Sequence, residues 1–161
     1  MSKRLVIARA TIAALTIAGL AGFGTRVQAT DAWVARAIEG VWEPVVTIRE
    51  CQTGDPLFSF LSMDSYIRGG SLVAESASEP NTRATGLGNW RHAGGRHFTA
   101  KYQFFTYNPD GTPSGRLKVS TRIRLSADGS SFVASDTAEV SDLQGNVLAQ
   151  VCGTRQAKRS E

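Results

Sequence analysis

Histidine, cysteine and methionine are nearly missing from this sequence: its 161 residues contain two of each. His92, His97, Cys51 and Cys152 share no ligand spacing, so neither a metal nor another cofactor is expected. The usual catalytic signatures are missing as well. No G-x-S-x-G, H-E-x-x-H, P-loop or dinucleotide fingerprint occurs, which removes the reactions those motifs carry. Long hydrophobic runs are scarce too. The apolar stretch over residues 10–24 is short of the ~20 residues a membrane-spanning helix needs.

That stretch follows Lys3, Arg4 and Arg9 and precedes the small-x-small site Val27-Gln28-Ala29, the arrangement of a signal peptide over residues 1–29. The expected product is one exported domain, residues 30–161, in the periplasm or outside the cell, with no membrane anchor after cleavage. Its charge is balanced. The chain has 18 basic and 14 acidic residues; Lys3, Arg4, Arg9 and Arg26 belong to the leader, which leaves fourteen of each sign. A neutral domain has no electrostatic reason to bind nucleic acid or anionic lipid. In an oxidising compartment the two cysteines are expected to form one disulfide, Cys51 to Cys152. Closing a loop of that length is worth ~4 to 5 kcal/mol in the chain-entropy model.

What is abundant is two-residue alternation. Leu117, Val119, Thr121, Ile123 and Leu125 share one phase while Lys118, Ser120, Arg122 and Arg124 share the other, the mark of a strand with one solvated face. Phe98 to Thr106 and Phe132 to Val140 repeat it. Eight strands are predicted, over residues 41–51, 58–67, 71–76, 86–92, 97–108, 116–126, 132–141 and 147–152. A short helix over 30–38, capped by Thr30 and Asp31, precedes them. The separators, such as Gly69-Gly70, Gly94-Gly95 and Asp128-Gly129, are turn sequences that join antiparallel neighbours. The longest irregular piece, 79–85, is expected to loop over one mouth. One-faced strands joined in sequence hide their apolar faces by closing into an eight-stranded antiparallel up-and-down barrel.

A short helical turn followed by Gly40-x-Trp42 resembles the opening of the lipocalins and the wider calycin group. The resemblance implies that Trp42 closes the barrel floor and that a basic side chain after the last strand packs across it. Arg155 is the matching residue here, and a cation over an aromatic face has its own physical rationale. Gly40-x-Trp42, Cys51-x-x-Gly54, Gly69-Gly70, Gly88-x-Trp90 with Gly94, and Cys152 before Arg155 are together similar to a set of small exported bacterial proteins, a likeness that brings no chemistry with it.

Tyr102, Thr121 and Asp136 fall in the apolar phase, so polar groups are expected to point inside, where burial without a partner costs a few kcal/mol. A hydrogen-bond network such as one joining Tyr102 to Asp136 explains them, and so does a ligand cavity. The aromatics, which serve equally as core, make Phe60, Tyr66, Trp90 and Phe104 candidates to line such a cavity together with Tyr102, Thr121 and Asp136. The expected partner is a small apolar or amphipathic molecule. Two other classes are compatible with the residues: a barrel isomerase or cyclase with Tyr102 and Asp136 as acid and base, and an envelope interaction module using the outer wall.

Overall fold

In the first strand Trp42, Pro44 and Val46 are buried while Val41, Glu43 and Val45 are exposed. That alternation puts one face inside and one in solvent. The computed structural model describes residues 34–77 and 82–161. It contains β1 (Gly40–Arg49), β2 (Pro56–Ile67), β3 (Ser71–Ser76), β4 (Gly86–Gly94), β5 (His97–Tyr107), β6 (Pro113–Leu125), β7 (Ser131–Ser141) and β8 (Val147–Arg159). Each strand pairs antiparallel with the next, and β8 returns to β1, so the sheet is a closed barrel in sequence order. Closure removes both free edges.

The expected strands are all present, with one substantial difference at the end of the chain. β8 continues past Cys152 to Arg159, and this extension pairs with β1 from Arg49↔Cys152 to Trp42↔Arg159. The ring therefore closes through residues that read as a polar tail. Gly153, Arg155 and Ala157 all face inside, and a charged residue in the inward phase conceals the period. The expected signal peptide lies outside the described residues, as do the first residues of the helix expected over 30–38. The described remainder forms a turn in which Ala37 N donates to Val34 O (3.1 Å) and Glu39 N to Arg36 O (2.9 Å).

The two ends of the barrel are finished differently. At the end that holds the chain entry and the β2–β3, β4–β5 and β6–β7 turns, Trp42 is fully buried, donates its Nε1 proton to Ile38 O (2.8 Å) and packs 4.9 Å from Phe132, measured between ring centroids. The Arg159 guanidinium lies 4.3 Å from the Trp42 ring centroid and donates to Ala37 O (2.6 Å) and Glu39 O (2.7 Å). The cation on the floor is thus Arg159, not Arg155. A reading that ends the last strand at Cys152 takes the first arginine beyond it, whereas the strand runs on to a second. Gly40 belongs to the same device: its φ is +130°, and a Cβ there would sit 2.6 Å from Arg159 Nη1. Only glycine combines that backbone with that neighbour. At the opposite end Cys51 and Cys152 form a disulfide with a Cα separation of 5.2 Å across 101 residues of chain, tying the exit of β1 to β8.

Candidate functional site

The interior is built in layers, and the sequence of each strand sets which residues meet in a layer. The register Trp42↔Asp64 puts Asp64 on the inner face of β2, between Ser62 and Tyr66. Asp136 and Thr121 face each other across β7 and β6, and Asp136 pairs with Gly153 on β8, two residues before Arg155. Tyr102 comes from β5, where Gly86 and Gly88 of β4 make room for it. A Cβ on Gly86 would lie 3.0 Å from Tyr102 Cδ2, and one on Gly88 would collide with the Lys101 carbonyl and the Tyr102 backbone.

Arg155 is the centre of this layer. Its Nε donates to Asp136 Oδ2 (2.5 Å), its Nη1 to Asp64 Oδ2 (2.7 Å) and its Nη2 to the Tyr102 hydroxyl. The other Asp64 oxygen accepts from Ser62 Oγ (3.0 Å). Arg155 and the three side chains bound to its guanidinium are buried, so the ion pairs lie out of water. Burial pushes the Asp64 carboxyl up from its ordinary value, with Arg155 pulling the other way. Burial pushes the Tyr102 hydroxyl up to about 12, so it stays protonated at neutral pH. Burial opposes the Arg155 charge, but Tyr102, Asp136 and Asp64 outweigh it and hold the guanidinium ionised. One cation faces two carboxylates, and the Asp136 charge adds a smaller push to the one that burial exerts on Asp64. Two buried side-chain atoms among the described residues lack a hydrogen-bond partner: Asp136 Oδ1 and Thr121 Oγ1, on residues paired across β6 and β7.

Below this layer, toward Trp42, the barrel is solid. Tyr66 and Phe98 are buried, Tyr66 packs edge-on to Phe132 (6.2 Å) and Trp90 (6.4 Å), and Trp90 Nε1 donates to Ile67 O (2.9 Å). Above it, toward the disulfide, a cavity of about 60 Å³ remains. Val46, Ile48, Phe60, Phe104, Leu117, Val119, Ala138 and Val151 form its wall, Tyr102, Asp136 and Arg155 its base, and Arg83, Glu75 and Cys152 its rim. Two larger hollows, about 640 and 630 Å³, lie on the outer wall, where exposed Lys101 and Ser120 border both. Their volume is the shallow space above a curved sheet, and the enclosed chemistry is inside.

Of the residues expected around a ligand, the structure brings Phe60, Tyr102, Phe104 and Asp136 to this cavity. Tyr66 and Trp90 belong to the packed end instead, and Thr121 is buried beside Asp136 without forming cavity wall. Tyr102 and Asp136 do meet in one network, through Arg155 and not directly. His92 turns its Nε2 to Gly95 O (2.7 Å) in the β4–β5 hairpin, and His97 is exposed. No cluster of three metal-ligating side chains occurs among the described residues.

The sequence hides two participants and misassigns a third. Asp64 lies in a strand whose more apolar phase, Leu61, Met63 and Ile67, faces outward, so alternation assigns it to the wrong side. Arg155 is the one misassigned: the sequence reads it as the floor cation, and it lies in the central layer. Arg83 sits in the predicted mouth loop, at 82–85 the described part of that loop, and no local signal distinguishes it. The pairing of Asp64 with inward-facing Trp42 is the clue that finds the first. Models of known protein families and curated proteins give no match to this chain.

Proposed function

We propose that this protein is an exported binding barrel that receives a small apolar or amphipathic molecule through its disulfide end. The observation that carries the reading is the cavity: an apolar sleeve of Val46, Phe60, Phe104 and Leu117 standing on a polar base of Tyr102, Asp136 and Arg155. Apolar walls with a few convergent polar groups are the makeup of ligand sites. The volume, about 60 Å³, is well below the ~300–1,000 Å³ of pockets that enclose a drug-sized molecule. The guest is therefore small, or it enters with one end and leaves the rest at the rim. The resemblance of Gly40-x-Trp42 to the lipocalin opening, with Arg159 stacked on the tryptophan, agrees with a barrel closed at one end and accessible at the other.

Export rests on the leader-like residues 1–29 and on the disulfide, a bond that persists in oxidising compartments. Among the described residues no helix is long and apolar enough to cross a membrane. Native mass spectrometry of the protein purified from its own cell envelope tests both points. The expected result is a chain beginning near Thr30 that retains a small molecule. Full-length chain recovered from the cytoplasm overturns export, and a bare chain with no spectral change at Phe60 or Phe104 on adding small amphiphiles overturns binding.

The outer wall favours a second reading, an envelope interaction module. Val45 and Leu61 are directly opposite one another on β1 and β2, 44% and 63% exposed, and Met63 extends the strip at 54%. Exposed apolar neighbours of this kind mark contact surfaces when they are contiguous. Replacing Leu61 with lysine is expected to abolish any co-purifying partner while leaving the cavity unchanged.

A further inference from the structure

Two arginines border the cavity, and they differ in what their donors do. Arg155 has its Nε, Nη1 and Nη2 groups bound to Asp136, Asp64 and Tyr102. Arg83 has no such engagement. Its guanidinium lies 4.9 Å from the Phe104 ring centroid and 5.6 Å from that of Phe60, and it takes part in none of the four ion pairs formed among the described residues. Glu75 also borders the cavity and acts on Arg83 through its charge, but the two form no ion pair. The side chain is nevertheless placed by its backbone. Tyr107 N donates to Thr82 O (2.8 Å), Ala84 N donates to Phe105 O (2.9 Å), and Arg83 forms a bridge with Thr106, so residues 82–84 are strapped across the end of β5.

A half-buried guanidinium between two aromatic rings, with its fork of N–H donors unclaimed by the described residues, matches a planar oxyanion in charge and shape. Burial also lowers its pKa, a sign that its charge is short of solvation, which a bound anion would restore. The base of the cavity is a poor place for an anion, because the Nε, Nη1 and Nη2 groups of Arg155 already donate to Asp136, Asp64 and Tyr102, and the unpartnered Asp136 Oδ1 is an acceptor. An anionic head is therefore repelled from the base and attracted to the rim. We infer that the guest is a small organic anion, a carboxylate on a short apolar tail, with its head paired to Arg83 at the rim and its tail against Phe60 and Phe104. This rests on the cavity being a binding site and adds which head group it selects and which way round the guest enters.

Three probes with one tail and different heads separate the two ideas: hexanoate, 1-hexanol and hexylammonium, each titrated into the oxidised protein by NMR. Hexanoate is expected to bind at least tenfold more tightly than the other two. Arg83→Gln is expected to bring hexanoate down to the affinity of hexanol without moving hexanol, and Arg83→Lys to recover part of the difference. An unchanged Trp42 indole resonance shows in each variant that the barrel is intact. If hexanol binds as well as hexanoate, if hexylammonium binds best, or if Arg83→Gln leaves hexanoate unaffected, the head-group assignment is overturned while the cavity keeps its role. If none of the three perturbs Phe60 or Phe104, both readings fall.

Discussion

Trp42 and Cys51 flank the same first strand, yet each holds its end of the barrel by a different means. Around Trp42 the interior is filled by Phe132, Tyr66 and Ile38, and Arg159 fastens the incoming chain through the carbonyls of Ala37 and Glu39. Around Cys51 the residues are exposed, the interior is partly hollow, and the link to Cys152 is covalent. The lesson is physical. An end that keeps open space gives up the burial that would otherwise secure it, and constraining the unfolded chain is a way to recover stability without filling the space.

The sharpest way to break this division is to attack the layer that separates the halves. Arg155→Met leaves Asp64 and Asp136 buried without their counter-ion and is expected to lose about 3–5 kcal/mol in urea unfolding. Adding Asp64→Asn to that variant should recover part of the loss, since one stranded charge is then gone. Next in size is the disulfide. Replacing both cysteines by serine is expected to cost about 2–4 kcal/mol, and hydrogen exchange should quicken at the Arg49 end of β1 while Trp42 stays protected. Arg159→Met should cost about 1 kcal/mol, the size of a cation over a ring near solvent, and should loosen the chain entry without altering the cavity.

The smallest expected effect is in pH dependence, and it too divides the ends. Glu50, Asp110 and Asp142 in turns at the disulfide end have carboxyls held below their ordinary values by hydrogen bonds to turn residues, led by Thr53, Thr112 and Asn146 respectively. At the other end Asp128 is held lower, to about 2, by Ser126 and Ser130. A lowered carboxyl stabilises the fold above its unfolded value and loses that contribution as pH falls through its folded value. On acidification the disulfide-end turns are therefore expected to loosen first, with the Asp128 turn yielding near pH 2. Asp64 has the opposite sign, because its raised carboxyl takes up a proton more readily in the folded state and the penalty of burying its charge is relieved as pH drops toward its folded value. Melting temperatures across pH should show Asp64→Asn removing a gain on mild acidification and Asp128→Asn removing a loss at strong acidity.

How much of this was legible depended on whether the information was local. The inward set from Leu117 to Leu125, and its counterparts on β5 and β7, alternates within a few residues, so the strands and the closed ring followed from it. The cysteine pair followed from compartment and number. Asp64 and Arg155 are different, because β2 turns its more apolar phase outward and Arg155 interrupts the inward phase of β8, and each is stabilised by the other, 91 residues away. A pattern read along the chain puts both charges in solvent, and only the register of β1 with β2 and β8 shows that they meet inside. Arg83 was hidden for a simpler reason: its role comes from a strap whose two backbone hydrogen bonds go to residues on another strand.

The ionic layer across the middle has a consequence for how such a molecule can change over time. It works as a bulkhead between a compartment that keeps the barrel upright and one that meets the outside. Residues on the outer side, Phe60, Arg83 and Phe104 among them, can be exchanged for others of a new shape or charge while the masonry beneath stays in place. A family of descendants with different guests would then share Trp42, Arg159 and the Arg155 trio, and differ above them.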